Sequence, residues 1–132
     1  MKYLLDTNIC IYIIKKQPES VIKKLTKKDP SDIAISAITW FELMYGVEKS
    51  QHREKNLLAL KDFIFPIEIL PWTEKSALHS AVVRADLAKA GLSIGALDCQ
   101  IAGHALALGC TLVTNNEKEF KRVKGLKIEN WV

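Results

Sequence analysis

Apolar runs of three residues alternate along this chain with longer stretches in which apolar side chains recur three and four positions apart. Tyr3-Leu4-Leu5, Ile33-Ala34-Ile35, Ile67-Glu68-Ile69 and Thr111-Leu112-Val113 are mostly β-favouring, and each gives way to a polar or turn residue, so they predict strands. A last edge strand is expected around Lys127 to Glu129. The three-and-four spacing predicts helices over Ile9 to Ile14, Val21 to Leu25, Trp40 to Val47, Leu57 to Ile64, Leu78 to Leu87 and Leu97 to Leu108. Strands that alternate with helices imply parallel β-α-β units, whose right-handed crossovers place helices on both faces of one sheet. The expected fold is therefore α/β, a three-layer α/β/α arrangement around a twisted parallel sheet of four to five strands.

Helix punctuation agrees with this division. Thr7 or Asn8 can cap the first helix, Thr39 with Glu42 three residues on fits a capping box, and Thr73 or Ser76 can open the long central helix. Gly91 and Gly109 stand where two helices should stop.

Composition narrows the class without changing the pattern. At 132 residues, 48% hydrophobic and 26% charged, with no repeat or linker, the chain reads as one domain over residues 1–132. No apolar run approaches the ~20 residues of a membrane span, and the start of the chain lacks a signal-peptide core. Cys10, Cys99 and Cys110 are odd in number and form no C-x-x-C pair; they read as small buried hydrophobes in a reducing, cytoplasmic setting. The net charge of +4 is concentrated: Lys15 to Lys28 holds six lysines against one acid, Glu19. That patch suits a polyanion or is simply a solvated helix face.

Ligands of parallel α/β sheets collect at the carboxyl ends of the strands. Asp6 directly follows the first strand, and Thr114-Asn115-Asn116 follows the Thr111 to Val113 strand, with Glu119 one helical turn on. Glu42 lies shortly after the second strand among Trp40, Phe41, Leu43 and Met44, and Asp98 sits in the small-residue helix Ile94 to Ala102. Singly, Asp6 reads as a helix cap, Glu42 as half of a capping box and Glu119 as a surface acid. Asp98 has no basic neighbour in sequence, and a carboxylate among apolar side chains is costly without a neutralising partner. Should the four acids converge, a hard divalent cation is the simplest way to relieve their repulsion, and an all-oxygen set without His or Cys selects Mg²⁺ or Mn²⁺. His52, His79 and His104 have no metal-binding spacing, and no serine-hydrolase, P-loop or dinucleotide motif is present. His104 and Cys99 read as packing residues.

Leu4-Leu5-Asp6-Thr7-Asn8, Glu42-Leu43-x-x-Gly46, Ile94-Gly95-x-x-Asp98-x-x-Ile101-Ala102-x-His104-Ala105 and Thr114-Asn115-Asn116-x-x-Glu119-Phe120 together resemble the PIN-domain ribonucleases, above all the VapC toxins of type II toxin–antitoxin pairs. Each motif alone is weak; the ordered set, which covers essentially the whole chain, is specific. The resemblance implies a metal-dependent endoribonuclease, with Mg²⁺ or Mn²⁺ held by Asp6, Asp98, Glu42 and Glu119, and with Asn116 and Thr114 fixing water or phosphate. The fourth acidic position of the family is Asn116 here, so either Asn116 or Glu119 fills it. It also implies RNA as substrate, with transfer RNA the first choice, and a small antitoxin docked in an apolar groove around Ile9, Ile13, Trp40, Met44 and Val47. A homodimer within a larger complex follows, and operator DNA is reached only through the antitoxin.

Two alternatives stand beside it. A haloacid dehalogenase phosphatase also starts with a strand ending in Asp, but its second Asp, two residues on, is Asn8 here. A non-catalytic RNA-binding module on the same fold is favoured only by Asn116.

Overall fold

A computed structural model describes all 132 residues. In chain order it contains β1 (Tyr3–Leu5), α1 (Thr7–Lys15), α2 (Glu19–Thr26), a 3₁₀ turn (Pro30–Asp32), β2 (Ile33–Ser36), α3 (Ala37–Glu48), α4 (Arg53–Ile64), β3 (Glu68–Leu70), α5 (Glu74–Lys89), α6 (Ala96–Leu108), β4 (Thr111–Val113), α7 (Glu117–Phe120) and β5 (Lys127–Glu129). The five strands form one sheet in the order β3-β2-β1-β4-β5, every pair parallel. The expected α/β architecture is therefore present. The third strand begins one residue later than its apolar run, and α7 is a helix that the apolar spacing did not announce.

Side chains of neighbouring strand residues point to opposite faces, and the sheet is buried on both. Leu4, Ala34 and Leu112 face one core with Val83 and Leu87 of α5, Ile101 and Ala105 of α6, and Phe120 of α7. Leu5, Ile35 and Val113 face the other with Ile9 and Ile13 of α1, Leu43 and Val47 of α3, Leu60 of α4, and Trp131. Continuous apolar runs are what a strand covered by helices on both sides requires. All three cysteines are free and buried, as expected of small hydrophobes. No helix is long and apolar enough to cross a membrane.

Two caps bear on chemistry: Asp6 caps α1, as its own position suggested, in place of Thr7 or Asn8, and Ser36 caps α3 in place of Thr39. The Asp6 Oδ1 accepts from the Ile9 amide at 3.0 Å, because helix follows strand with no linker. Likewise Ser36, the last residue of β2, caps α3 and accepts from the Ile38 amide at 3.1 Å. Thr39 is thus inside the helix, which removes the capping-box explanation for Glu42. Thr73 caps α5 and Gly109, in a left-handed conformation, ends α6, both as expected.

Thr39 is fully buried and its Oγ1 has no hydrogen-bond partner, the one buried side-chain polar atom in that condition. Thr39→Val keeps the shape and removes an unsatisfied group, so it should stabilise the fold by about 1 kcal/mol. Thermal denaturation should show a midpoint roughly 3–5 °C higher; an unchanged or lower midpoint would mean that the hydroxyl is satisfied in solution.

Candidate active site

The strand order reverses between β1 and β4, the two central strands, and the crevice at such a switch point is where open parallel sheets bind ligands. Asp6 leaves the carboxyl end of β1 and Thr114 that of β4. Their side chains meet: Thr114 Oγ1 donates to Asp6 Oδ2 at 2.5 Å and itself accepts from the Asn116 amide at 2.9 Å. Asp6 is only 5% exposed, and burial raises its pKa against the lowering effect of the bonds from Thr114 and Ile9.

Two further acids are held the same way, each by a neutral donor. Thr7 Oγ1 donates to Glu42 Oε1 at 2.7 Å, and Asn116 Nδ2 donates to Glu119 Oε2 at 2.9 Å. A hydroxyl or amide fixes a carboxylate's direction without cancelling its charge, which a lysine or arginine would do. Asp98 has no such partner. It stands half-buried in the first turn of α6, where the helix N-terminus favours a negative charge. Its pKa is nevertheless pushed up to about 6, chiefly by burial and then by the charges of Glu119, Glu42 and Asp6. Four acids from distant segments therefore share one electrostatic environment at the sheet edge, as the sequence pattern suggested.

No cation of the protein relieves them. The ion pairs of the molecule join the Met1 amino group to Asp32, Lys23 to Glu19 and Arg53 to Glu48, and none of these touches the four. The acids do not close into a cage: no three side chains among His, Cys, Asp and Glu lie close enough to hold one metal ion as they stand. Three of the four are turned toward neutral donors of their own. The donor set, carboxylate oxygens flanked by hydroxyl and amide groups, suits a hard divalent cation, which prefers oxygen ligands.

Other expected parts of the site move. Of the docking residues, Ile9 and Ile13 belong to the core on the face of α1 turned to the sheet, while Val47 is largely buried and also lines the groove. The groove that exists runs between α1, α3 and α4, has a volume of about 320 Å³, and is lined by Ile11, Ile14, Leu43, Val47 and Leu60 with Glu42 among them. In the lysine patch, Lys28 donates to the Tyr3 hydroxyl at 3.2 Å and lies over the Tyr3 and Trp131 rings. Tyr3 starts β1, so that end of the patch is at the edge of the sheet opposite Asp6. Arg84 is exposed on α5 and lines a separate small cavity with Ile94 and Cys99.

Sequence reasoning missed Thr7 as the partner of Glu42, 35 residues away, and no spacing signals that pair. His104, read as a packing residue, is indeed buried; what sequence reasoning missed is its bond, with Nδ1 2.8 Å from Ser36 Oγ, and burial lowers its pKa.

Known proteins resemble this chain along its whole length. Residues 3–126 match the PIN domain family. The chain is 44% identical over 131 residues to the tRNA(fMet)-specific endonuclease VapC of Shigella flexneri, across 99% of this chain and 98% of that one. Its backbone superposes with a TM-score of 0.93 on a chain of the Rickettsia felis VapBC2 complex bound to a DNA fragment from its promoter, at 44% identity and full coverage of both. With the DNA-bound VapBC of Salmonella typhimurium the TM-score is 0.94 at 42% identity, over 100% of this chain and 99% of that one. Identity at this level over the full length, on the same strand order with acids at its switch point, makes the chain a PIN-domain protein of the VapC ribonuclease family.

Proposed function

We propose that this protein is a divalent-metal-dependent endoribonuclease acting as the toxin of a toxin–antitoxin pair, with transfer RNA as its substrate class and Mg²⁺ or Mn²⁺ as its ion. One observation carries the reading: buried Asp6 at the topological switch point, with Asp98 near enough to feel the charges of Asp6, Glu42 and Glu119 and no protein cation paired with any of them. The relative from Shigella flexneri named for cleaving an initiator tRNA supports the substrate class.

Asp6 and Asp98 would hold the ion, with Glu42 and Glu119 completing the acidic ring. A bound divalent cation supplies Lewis-acid charge, which neutralises the phosphate and lowers the pKa of a coordinated water. The protein's own groups do the rest. Thr114 keeps Asp6 turned into the cleft, and its lone pair is already committed to the Asn116 amide. Thr7 ties down one oxygen of Glu42, which leaves Oε2 to accept a proton from the attacking water. Asn116 is committed to Glu119 and so acts through that carboxylate, which brings the negative charge its own amide lacks. The departure at Asn116 thus loses less than the substitution alone suggests, and the non-catalytic alternative loses its one support.

The apolar groove between α1, α3 and α4 is where an antitoxin segment would dock, because its wall is apolar and includes Glu42, one of the four acids. Exposed Leu78 and Val82 on α5 offer a surface for pairing two copies. Operator DNA would be reached through the antitoxin; two similar structures are VapBC complexes bound to DNA. Residues 1–132 would serve these roles as one domain.

The test is RNA cleavage by the purified chain freed of any partner. With Mg²⁺ or Mn²⁺ it should cut transfer RNA, chelator should stop it, and Asp6→Asn should lower the rate about 10²-fold or more. Cleavage by Asp6→Asn at the wild-type rate, or none by the wild type with either ion, would overturn the reading.

A further inference from the structure

The acid-bearing helices α3 and α6 are joined by one side-chain hydrogen bond, Ser36 Oγ to His104 Nδ1, and it is fully buried. Ser36 also caps α3, because its Oγ accepts from the Ile38 amide. Burial holds His104 below its usual pKa and therefore neutral at pH 7. The hydroxyl has one proton and two lone pairs, so it can bond the ring at Nδ1, whichever group donates, and still accept from Ile38. One hydroxyl thus fixes the start of α3 and ties it to the middle of α6.

The placement of that bond gives it leverage. Glu42 lies six residues beyond Ser36 on α3 and Asp98 six residues before His104 on α6, in each case about 9 Å of helix. The two carboxylates feel each other's charge. Elsewhere these helices meet through apolar side chains such as Ile38, which resist compression but tolerate sliding. A directional bond at the shared base sets the slide, and so the relative position of the two acids.

We infer that His104 is a positioning residue: through its hydrogen bond to Ser36 it sets the spacing of Glu42 and Asp98, and with it the affinity of the acidic cleft for a divalent cation. The inference rests on the proposed role of those acids as the ion's ligands, but not on RNA being the substrate.

The experiment compares two amides. The Asn side chain can place a polar atom where Nδ1 lies, whereas Gln reaches toward the Nε2 position, so His104→Asn should keep the link and His104→Gln should lose it. Mn²⁺ binding measured by calorimetry or electron paramagnetic resonance should be about tenfold weaker in His104→Gln, at the lower end of what supporting hydrogen bonds around metal ligands cost. His104→Asn should stay within about threefold of wild type, on the same scale. Ser36→Ala should weaken Mn²⁺ binding as much as His104→Gln, and the double variant no more than either alone. In cleavage assays kcat should fall and KM for RNA should not.

A purely structural histidine would lower the melting temperature in all variants and leave Mn²⁺ affinity of the folded protein unchanged, and that result would overturn the inference. So would equal behaviour of His104→Asn and His104→Gln, or additive losses in the double variant. If His104→Gln does not fold, Ser36→Ala against wild type decides by the same Mn²⁺ measurement. An intact RNA with the Mn²⁺ pattern preserved would overturn the nuclease reading alone, and cleavage by the wild type with the Mn²⁺ pattern absent would overturn this one alone.

Discussion

Asp98→Asn is expected to abolish RNA cleavage while making the metal-free protein more stable. The activity side follows from the proposed role of Asp98 as a charged ligand of a divalent ion: its loss is an electrostatic loss of several kcal/mol and so about 10²- to 10³-fold in rate. The stability side follows from the environment of Asp98, whose pKa is pushed up to about 6 by burial and by three neighbouring acids. An acid whose folded pKa lies above its unfolded value binds more protons when folded, so stability is lost as pH rises between the two values. In chelator, the wild type should therefore weaken from about pH 4 to pH 6 and stay weakened above. A shift of about two pKa units sets an upper limit near 3 kcal/mol, which partial solvent access reduces to about 1–2 kcal/mol. Asp98→Asn should lose this destabilising contribution and show a shallower pH dependence, the remainder coming from Asp6, whose pKa burial also raises. Added Mg²⁺ should raise the stability of the wild type more than that of the variant. Denaturant unfolding in chelator at pH 4.5 and 7.5 reads all of this. If the variant is the less stable protein at pH 7.5, Asp98 anchors the fold and not an ion.

That trade between stability and charge explains which parts of the site are legible in sequence. Asp6 can be read because a short apolar strand ending in an acid places a carboxylate at the sheet edge, whatever the rest of the fold does. The apolar triplets are equally direct, since Leu4 and Leu5 must face different cores once helices cover both sides. The pairings that organise the acids are not legible. Thr7 with Glu42, Thr114 with Asp6 and Ser36 with His104 are 35, 108 and 68 residues apart. Each depends on how strands are ordered across the sheet, which local periodicity does not encode. The caps fail for a related reason. Thr39 and Thr7 have good capping chemistry, but β1 and β2 turn into helix immediately at Asp6 and Ser36, and tertiary geometry overrides the local preference.

Gly103→Ala should be among the most destabilising single changes in this protein, whereas Gly46→Ala should be neutral or stabilising. Both glycines lie inside helices, α6 and α3, where alanine is intrinsically better by about 1 kcal/mol. Sequence alone assigns them the same sign. The structure separates them, because a Cβ at Gly46 meets nothing within 4 Å, while one at Gly103 falls 2.5 Å from the Ser80 amide nitrogen and 2.6 Å from its Cα. Those atoms are backbone of α5, so no rotamer change relieves the overlap and the helices must separate. Ser80 is buried there, with its hydroxyl donating to the Ser76 carbonyl, and separation would also loosen Val83 and Leu87 from the core they share with Ile101 and Ala105. Overpacking of this kind costs up to about 3 kcal/mol or more, well beyond the helix-propensity gain. Against a typical total of about 5–15 kcal/mol, that removes a large part of the fold's stability. Denaturant midpoints of the two variants at equal slope give the comparison. Were Gly103→Ala as stable as the wild type, α5 and α6 would have to stand further apart in solution than the close approach at Ser80 allows, and the placement of Asp98 above that contact would need revision.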